Sequence, residues 1–469
     1  MGNRRIRKVA VIGSGVMGSQ IACHFANIGV EALLLDIVPR ELSEKEQKSG
    51  LSLEDKVVRN RIVNTALQTA IKSKPAPLYS KKFVNRISTG NLEDDLAKVA
   101  DADWIIEVVI ERLDIKQQVF ENIEKYRKPG TLISSNTSGI PIHQMLNGRS
   151  ADFQKHFLGT HFFNPPRYLE LLELIPSEKT DPAVLEFLLD YGRRFLGKKT
   201  ILCKDTPAFI ANRIGVYSIM SLFNTVKEMG LSVEEVDKLT GPVLGRPKSA
   251  TFRTCDVVGL DTLVHVANGV RENCPNDEEK ARFEIPSYIN SMLEQNWLGS
   301  KSGQGFYKKV KNEKGASEIL SLDLESLEYK SKQKVKFASI GKAREVDDLK
   351  ARTKLLLNFQ DKGGEFYRKT FYALFVYVSH RIPEIANDLY KIDDAMRAGF
   401  GWQLGPFEAW DAAGLAETVA EMKKSGLSYA TWIDEMLAAG FTSFYRIEDG
   451  KKSYYNQSSK SYEVIPGTE

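Results

Sequence analysis

The feature that most constrains this chain is its first turn. A run of apolar residues, Val9-Ala10-Val11-Ile12, passes into Gly13-Ser14-Gly15-Val16-Met17-Gly18, and a helical pattern over 19–28 follows, stopped by Gly29. The first glycine of such a strand–turn–helix allows the tight turn, the second lets the backbone approach a pyrophosphate, and the third lets the helix pack on the strand. The N-terminus of that helix offers free N–H groups to an anion. A second apolar strand over 32–36 ends at Asp36, eighteen residues past Gly18, where a carboxylate can accept from ribose hydroxyls. These residues predict a doubly wound α/β domain whose cofactor-binding set is Gly13, Ser14, Gly15, Val16, Met17, Gly18 and Asp36. The charge of Asp36 would repel a 2′-phosphate, so NADP is disfavoured. FAD uses similar glycines, so the choice of NAD rests on the catalytic residues.

Further strands are expected at 104–109, 131–135, 157–162, 169–176 and 200–204, alternating with amphipathic helices. A polar helical stretch over 41–80 interrupts the pattern and is too long for a simple connection. After Asp205-Thr206-Pro207 strand signals largely stop and helices with Gly-rich loops take over. The expected organisation is an α/β Rossmann-type domain over 1–204 with its insertion at 41–80, a helical domain over 205–310, a Lys-rich connector over 311–365 and a second helical domain over 366–469. The two helical domains look like copies. Val236-Asp237, Gly241-Pro242 and Cys255-Asp256-Val257-Val258-Gly259-Leu260 have counterparts in Ile392-Asp393, Gly405-Pro406 and Trp410-Asp411-Ala412-Ala413-Gly414-Leu415.

Composition excludes more than it selects. With 42% hydrophobic and 27% charged residues the 469-residue chain reads as a soluble globular protein. A net charge of +4, from 65 basic and 61 acidic residues, is too balanced to imply nucleic-acid binding. No apolar run approaches the roughly 20 residues needed to cross a bilayer, and a cytoplasmic location is expected. Cys23, Cys203, Cys255 and Cys274 show no metal-ligand spacing, so no metal is expected and the thiols read as reduced and mostly buried.

Three segments carry the remaining chemistry: Ser134-Ser135-Asn136-Thr137-Ser138; His161-Phe162-Phe163-Asn164-Pro165 with Glu173 beyond; and Asp205-Thr206-Pro207-Ala208-Phe209-Ile210-Ala211-Asn212-Arg213. Oxidising an alcohol needs a proton acceptor near neutral pH, which imidazole meets with little perturbation. Glu173, twelve residues after His161, can fix the imidazole tautomer and stabilise the imidazolium. At these residues the sequence resembles the L-3-hydroxyacyl-CoA dehydrogenase family. The likeness runs on through Lys301-Ser302-Gly303-Gln304-Gly305-Phe306-Tyr307, and the duplicated tail resembles the long forms among β-oxidation enzymes.

The resemblance implies NAD as cofactor, a 3-hydroxyacyl-CoA or 3-ketoacyl-CoA as substrate, and His161 as general base. It makes Glu173 the partner of His161, and Ser138 and Asn212 donors to the substrate oxygens. Glu111, Lys116, Asn164 and Lys301 match family positions near the cofactor, while Thr65 and Lys72 match coenzyme A contacts in the insertion. It also implies a monomer built as an internal pseudo-dimer, or a homodimer, and allows association with other β-oxidation enzymes. Competing readings are an NAD-dependent dehydrogenase of a free 3-hydroxy or sugar acid and a non-catalytic NAD-binding scaffold. Where short relatives have Gly-Pro-Phe-Glu, this chain has Gly241-Pro242-Val243-Leu244, and Gly405-Pro406-Phe407-Glu408 only in the second copy.

Overall fold

The computed structural model describes residues 4–468, which fall into two compact units that divide after Phe209. The first is built on one eight-stranded sheet. Its strands are β1 (Lys8–Ile12), β2 (Glu31–Asp36), β3 (Ile87–Asn91), β4 (Trp104–Glu107), β5 (Leu132–Ser135), β6 (Phe157–Phe162), β7 (Leu171–Pro176) and β8 (Lys199–Leu202). The spatial order is β3-β2-β1-β4-β5-β6-β7-β8. The first six are mutually parallel, β7 runs antiparallel to β6, and β8 is parallel to β7.

Parallel strands covered on both faces must be apolar throughout, and β1 and β4 bury every apolar side chain they carry. Helix α1 (Val16–Asn27) packs Ile21, Phe25 and Ala26 into the same core, where Phe25 meets Trp104 edge-on at 5.4 Å between centroids. His24 is buried in this core with Nε2 3.0 Å from the Leu196 carbonyl oxygen, and burial pushes its pKa down to about 4. Of the strands in this sheet, β3 is the one the sequence pattern does not reveal. The 41–80 stretch forms three helices, Glu44–Lys48, Lys56–Arg59 and Arg61–Lys72.

The second unit is mainly helical, as expected, and carries two small sheets besides. Two three-stranded antiparallel sheets occur, β9 (Tyr307–Lys311), β10 (Ser317–Leu322) and β11 (Tyr329–Ser331), then β12 (Tyr445–Glu448), β13 (Lys451–Asn456) and β14 (Ser461–Val464). Their strands are short and, apart from Ser321–Leu322 in β10 and Ser453–Tyr455 in β13, partly or fully exposed, so they lack the apolar runs that mark strands in the first unit. The 311–365 stretch is structured, holding β10 and β11 of the first of these sheets and the helices Ala338–Ala343 and Leu349–Asn358.

The two halves of this unit repeat one hydrogen-bonding scheme. Asp237 accepts from the backbone of Thr251, Phe252 and Arg253 and from the Tyr307 hydroxyl. Asp393 accepts from Phe407 and Glu408 backbone N–H groups and the Tyr445 hydroxyl. Asp256 takes the N–H groups of Phe306 and Tyr307, and Asp411 those of Phe444 and Tyr445. Burial raises the pKa of Asp256 to about 6 and of Asp411 to about 7, despite those donors.

The halves also pack on each other. The rings of Tyr217, on helix Ala211–Met229, and Tyr377, on helix Lys362–His380, stack at 3.6 Å. Gly215 leaves room for Phe400: a Cβ there would lie 2.1 Å from the ring. Arg213, fully buried, bonds Tyr377, Asp277 and Glu384.

Candidate active site

The glycine turn has the shape its residues predict. Gly13 has φ +103°, and a Cβ on Gly18 would fall 1.8 Å from the Gly13 carbonyl oxygen, so helix and strand touch through these two glycines. A Cβ on Gly15 would meet nothing within 4 Å. That open space lies at the start of α1, where first-turn N–H groups have no intrahelical acceptor and a pyrophosphate can approach. Asp36 accepts from the Ser14 N–H at 2.7 Å and also from its hydroxyl, while its other oxygen accepts from Ile37 N–H. The carboxylate thus fixes the glycine loop, and each oxygen keeps lone-pair capacity for a further donor. Val16, Ile37 and Ile110, at or just beyond the C-terminal ends of β1, β2 and β4, are 65, 60 and 65% exposed. Apolar side chains left open around a cradle of free N–H groups fit a ligand with a planar base and a diphosphate.

Across β4 and β5 from the glycine turn, β6 and β7 place His161 directly opposite Glu173 in the antiparallel register. The twelve-residue spacing is therefore one hairpin, and the side chains share a face. His161 Nδ1 lies 2.9 Å from Glu173 Oε1, with the imidazole 7% and the carboxylate 0% exposed. Phe163 and Phe209 pack on the imidazole with centroids at 4.4 and 5.7 Å. Cys203 Sγ donates to Glu173 Oε2 at 3.4 Å. With Nδ1–H donating to the Glu173 carboxylate, Nε2 keeps its lone pair and can accept a proton.

The turn after β5 brings Ser138 onto Glu111, whose Oε1 accepts from Ser138 N–H (2.9 Å), Ser138 Oγ (3.2 Å) and Thr137 Oγ1 (2.6 Å). Asn136 Oδ1 accepts from Phe162 N–H at 2.8 Å, which ties this turn to the strand carrying His161. Lys116 is 1% exposed and lies behind Glu111, with Nζ 3.2 Å from Glu111 Oε2 and 2.8 Å from Glu107 Oε1. Glu107, which the sequence reading passed over, is fully buried at the end of β4 and also accepts from Ser135 Oγ and Val109 N–H. Burial raises the Glu107 pKa even against these donors. Burial also acts upward on Glu111, but Lys116, Thr137 and Ser138 outweigh it and hold that carboxyl below its usual value. Nothing in the spacing 107–111–116 marks an ion-pair chain, because it spans a strand end, a loop and a helix.

Asn164 is exposed just past β6. Thr65 and Lys72 lie on helix Arg61–Lys72, along a shallow groove of about 360 Å³ shared with Asn64, Gln68 and Thr69. Asn212 and Lys301 belong to the second unit. Asn212 is half-buried in the first turn of helix Ala211–Met229, and Lys301 pairs with Asp261 at 2.5 Å.

A sheet that opens with a glycine cradle and carries a buried imidazole–carboxylate pair is the ground plan of nicotinamide-dependent dehydrogenases. Comparison with known proteins narrows this class. Residues 8–206 match the NAD-binding domain, and residues 209–309 the C-terminal domain, of 3-hydroxyacyl-CoA dehydrogenases. The chain belongs to the 3-hydroxyacyl-CoA dehydrogenase family.

A Bacillus subtilis protein named as a 3-hydroxyacyl-CoA dehydrogenase is 48% identical over 97% of this chain and 57% of its own length. A Rickettsia felis protein named as a trifunctional enzyme of a fatty acid oxidation complex is 34% identical over 86% of this chain and 52% of its own length. The chain thus spans little more than half of each of these relatives. In fold it resembles a 3-hydroxybutyryl-CoA dehydrogenase from Escherichia coli, with a TM-score of 0.63, 20% identity and coverage of 93% of this chain and 100% of that one.

Proposed function

We propose that this protein oxidises L-3-hydroxyacyl-CoA to 3-ketoacyl-CoA with NAD, as a step of fatty-acid β-oxidation. The observation that carries the reading is the buried His161–Glu173 pair, 2.9 Å apart and paired in register. NAD, when bound, supplies the hydride acceptor for C3 of the substrate. Gly13, Gly15 and the first turn of α1 would hold its pyrophosphate, and Asp36 its ribose. His161 Nε2 takes the proton of the 3-hydroxyl as the hydride departs, and Glu173 stabilises the resulting imidazolium. Asn212 and Ser138, whose hydroxyl exchanges Glu111 for the substrate, donate to the substrate oxygens, steadying charge as it develops. Lys116, Asn164 and Lys301 act around the cofactor side of the site, Lys116 through its contact with Glu111. Thr65 and Lys72 contact the coenzyme A moiety along the exposed face of helix Arg61–Lys72.

The repeated hydrogen-bonding scheme in the second unit supports a duplicated domain. On that reading residues 366–469 replace a second subunit and the protein is a monomer. The name of the Rickettsia relative supports association with other β-oxidation activities.

The test is to follow absorbance at 340 nm with NADH and acetoacetyl-CoA, then with NADH and free acetoacetate. Turnover of the thioester alone is expected, and turnover of the free acid at a comparable kcat/KM would overturn the substrate assignment. The same assay with NADPH examines Asp36: NADH is preferred in the wild type, and Asp36→Ala narrows the preference.

A further inference from the structure

The second unit contains a cleft of about 1510 Å³ in which ten of the twenty-five lining residues are lysine or arginine. They come from separate parts of the chain. Lys238 lies on helix Val233–Thr240, Lys248 and Arg253 on and after the following loop, Lys308 on β9, Lys334 on the segment after β11, and Arg344 at the end of helix Ala338–Ala343. Only two carboxylates line the same space, and both are engaged within the fold. Glu234 accepts from Ser321 Oγ, and Asp237 from three backbone N–H groups and the Tyr307 hydroxyl.

Among the described residues, none of the ten cations forms an ion pair with a carboxylate. Their neighbours outside the cleft do: Lys301 pairs with Asp261, Lys330 with Asp323 and Lys342 with Glu345. Converging unpaired cations repel one another, and that cost falls on the folded state unless an anion offsets it. Beside the charges the cleft offers an apolar side, where Ile319 is 52% exposed and Val335, Phe337 and Ile340 adjoin it. A bilayer or a duplex would need cations spread over an accessible surface. Here they line a concavity somewhat larger than the roughly 300–1,000 Å³ typical of small-molecule sites.

We infer that this cleft is a second ligand site, separate from the dinucleotide cradle, for a small polyphosphorylated molecule with an apolar or aromatic portion. Coenzyme A and free adenine nucleotides share that chemistry. The inference does not depend on the reaction proposed above, because every residue it uses lies within 234–352.

The full chain, saturated with NADH to fill the Rossmann cradle, is titrated by calorimetry with CoA, ADP and tripolyphosphate. The wild type is expected to bind a second equivalent of CoA beyond the one at the catalytic site, with affinity that falls steeply as salt rises. Joint reversal of charge in Lys248→Glu and Lys334→Glu abolishes that second equivalent and leaves kcat and KM for acetoacetyl-CoA unchanged, which also shows that the variant is folded. Binding of ADP and tripolyphosphate to the same site identifies phosphate as the recognised group, and binding of CoA alone identifies the thiol-bearing nucleotide. A CoA stoichiometry that is the same in the wild type and in the charge-reversed variant overturns the proposal, whatever binds at the catalytic site. So does an oligoglutamate peptide that binds the wild type more tightly than CoA and fails on the variant.

Discussion

Replacing Glu173 by Gln isolates the electrostatic part of the proposed catalytic pair. The amide keeps an oxygen for the Nδ1 proton of His161 and nearly the same shape, so the loss is one buried charge. With the charge centres about 4 Å apart and an effective dielectric near 20, the carboxylate stabilises the imidazolium by about 4 kcal/mol. At 1.36 kcal/mol per decade that is roughly 10³ in rate, and solvent or backbone relaxation brings the expectation to about 10²–10³ in kcat. The imidazolium forms during the reaction, so KM for the thioester should change little while kcat falls. The assay is NAD-dependent oxidation of L-3-hydroxybutyryl-CoA followed at 340 nm, with circular dichroism as the check on folding. A folded Glu173→Gln enzyme whose kcat drops less than about threefold, or whose loss lies entirely in KM, would refute the reasoning.

Three other expectations follow from the same structure. Gly18→Ala forces a Cβ to within 1.8 Å of the Gly13 oxygen and should cost about 2 kcal/mol or more in urea unfolding, whereas Gly15→Ala should leave stability of the NADH-free protein unchanged and weaken NADH binding about tenfold or more; the reverse pattern would be inconsistent with the cradle. His24, held near pKa 4 by burial against an ordinary 6.5, is neutral in folded and unfolded states at pH 7.5, and as pH falls below 6.5 the unfolded state takes up the proton first, so stability is lost down to about pH 4. By pH 5 this amounts to about 2 kcal/mol, seen as a steeper fall of the urea midpoint in wild type than in His24→Gln, and parallel curves would exclude it. Deleting the chain after Lys354 uncovers Tyr217 and Gly215, and light scattering should show aggregation or a new dimer; a soluble, fully active monomer would remove the structural role assigned to the second half.

What the sequence made legible depended on how local the signal is. The glycine turn is written in six consecutive residues, and β1, β2 and β4 carry the short apolar runs Val-Ala-Val-Ile, Ala-Leu-Leu-Leu and Trp-Ile-Ile that suit buried parallel strands. Strand β3 has the sequence Ile-Ser-Thr-Gly-Asn, polar because it is an edge, and no periodicity betrays it. The strand β9, Tyr-Lys-Lys-Val-Lys, is solvated along most of its length and reads as a linker. Glu107 was invisible because its meaning comes from Lys116, a partner that only the fold brings within 2.8 Å. Lys116, in turn, resembles a ligand-binding cation by its position in the family pattern, while burial makes it the clamp between two carboxylates. The matched aspartates of the second unit were readable because each sits beside the same short motif, yet the tyrosines that complete the scheme, Tyr307 and Tyr445, lie 70 and 52 residues away.

The pairing of His161 with Glu173 across a single antiparallel hairpin limits how this site can vary through insertions and deletions. A residue added or lost within either strand turns one of the two side chains to the opposite face of the sheet, so such changes are all-or-nothing for the chemistry. The segment beyond Phe163 and Asn164, residues 165–170, is under no such register restriction and can lengthen or shorten while leaving the pair intact. Inheritable variation is thereby channelled: the surroundings of the pair can diversify by loop remodelling, while the geometry of the imidazole and carboxylate can change only by substitution.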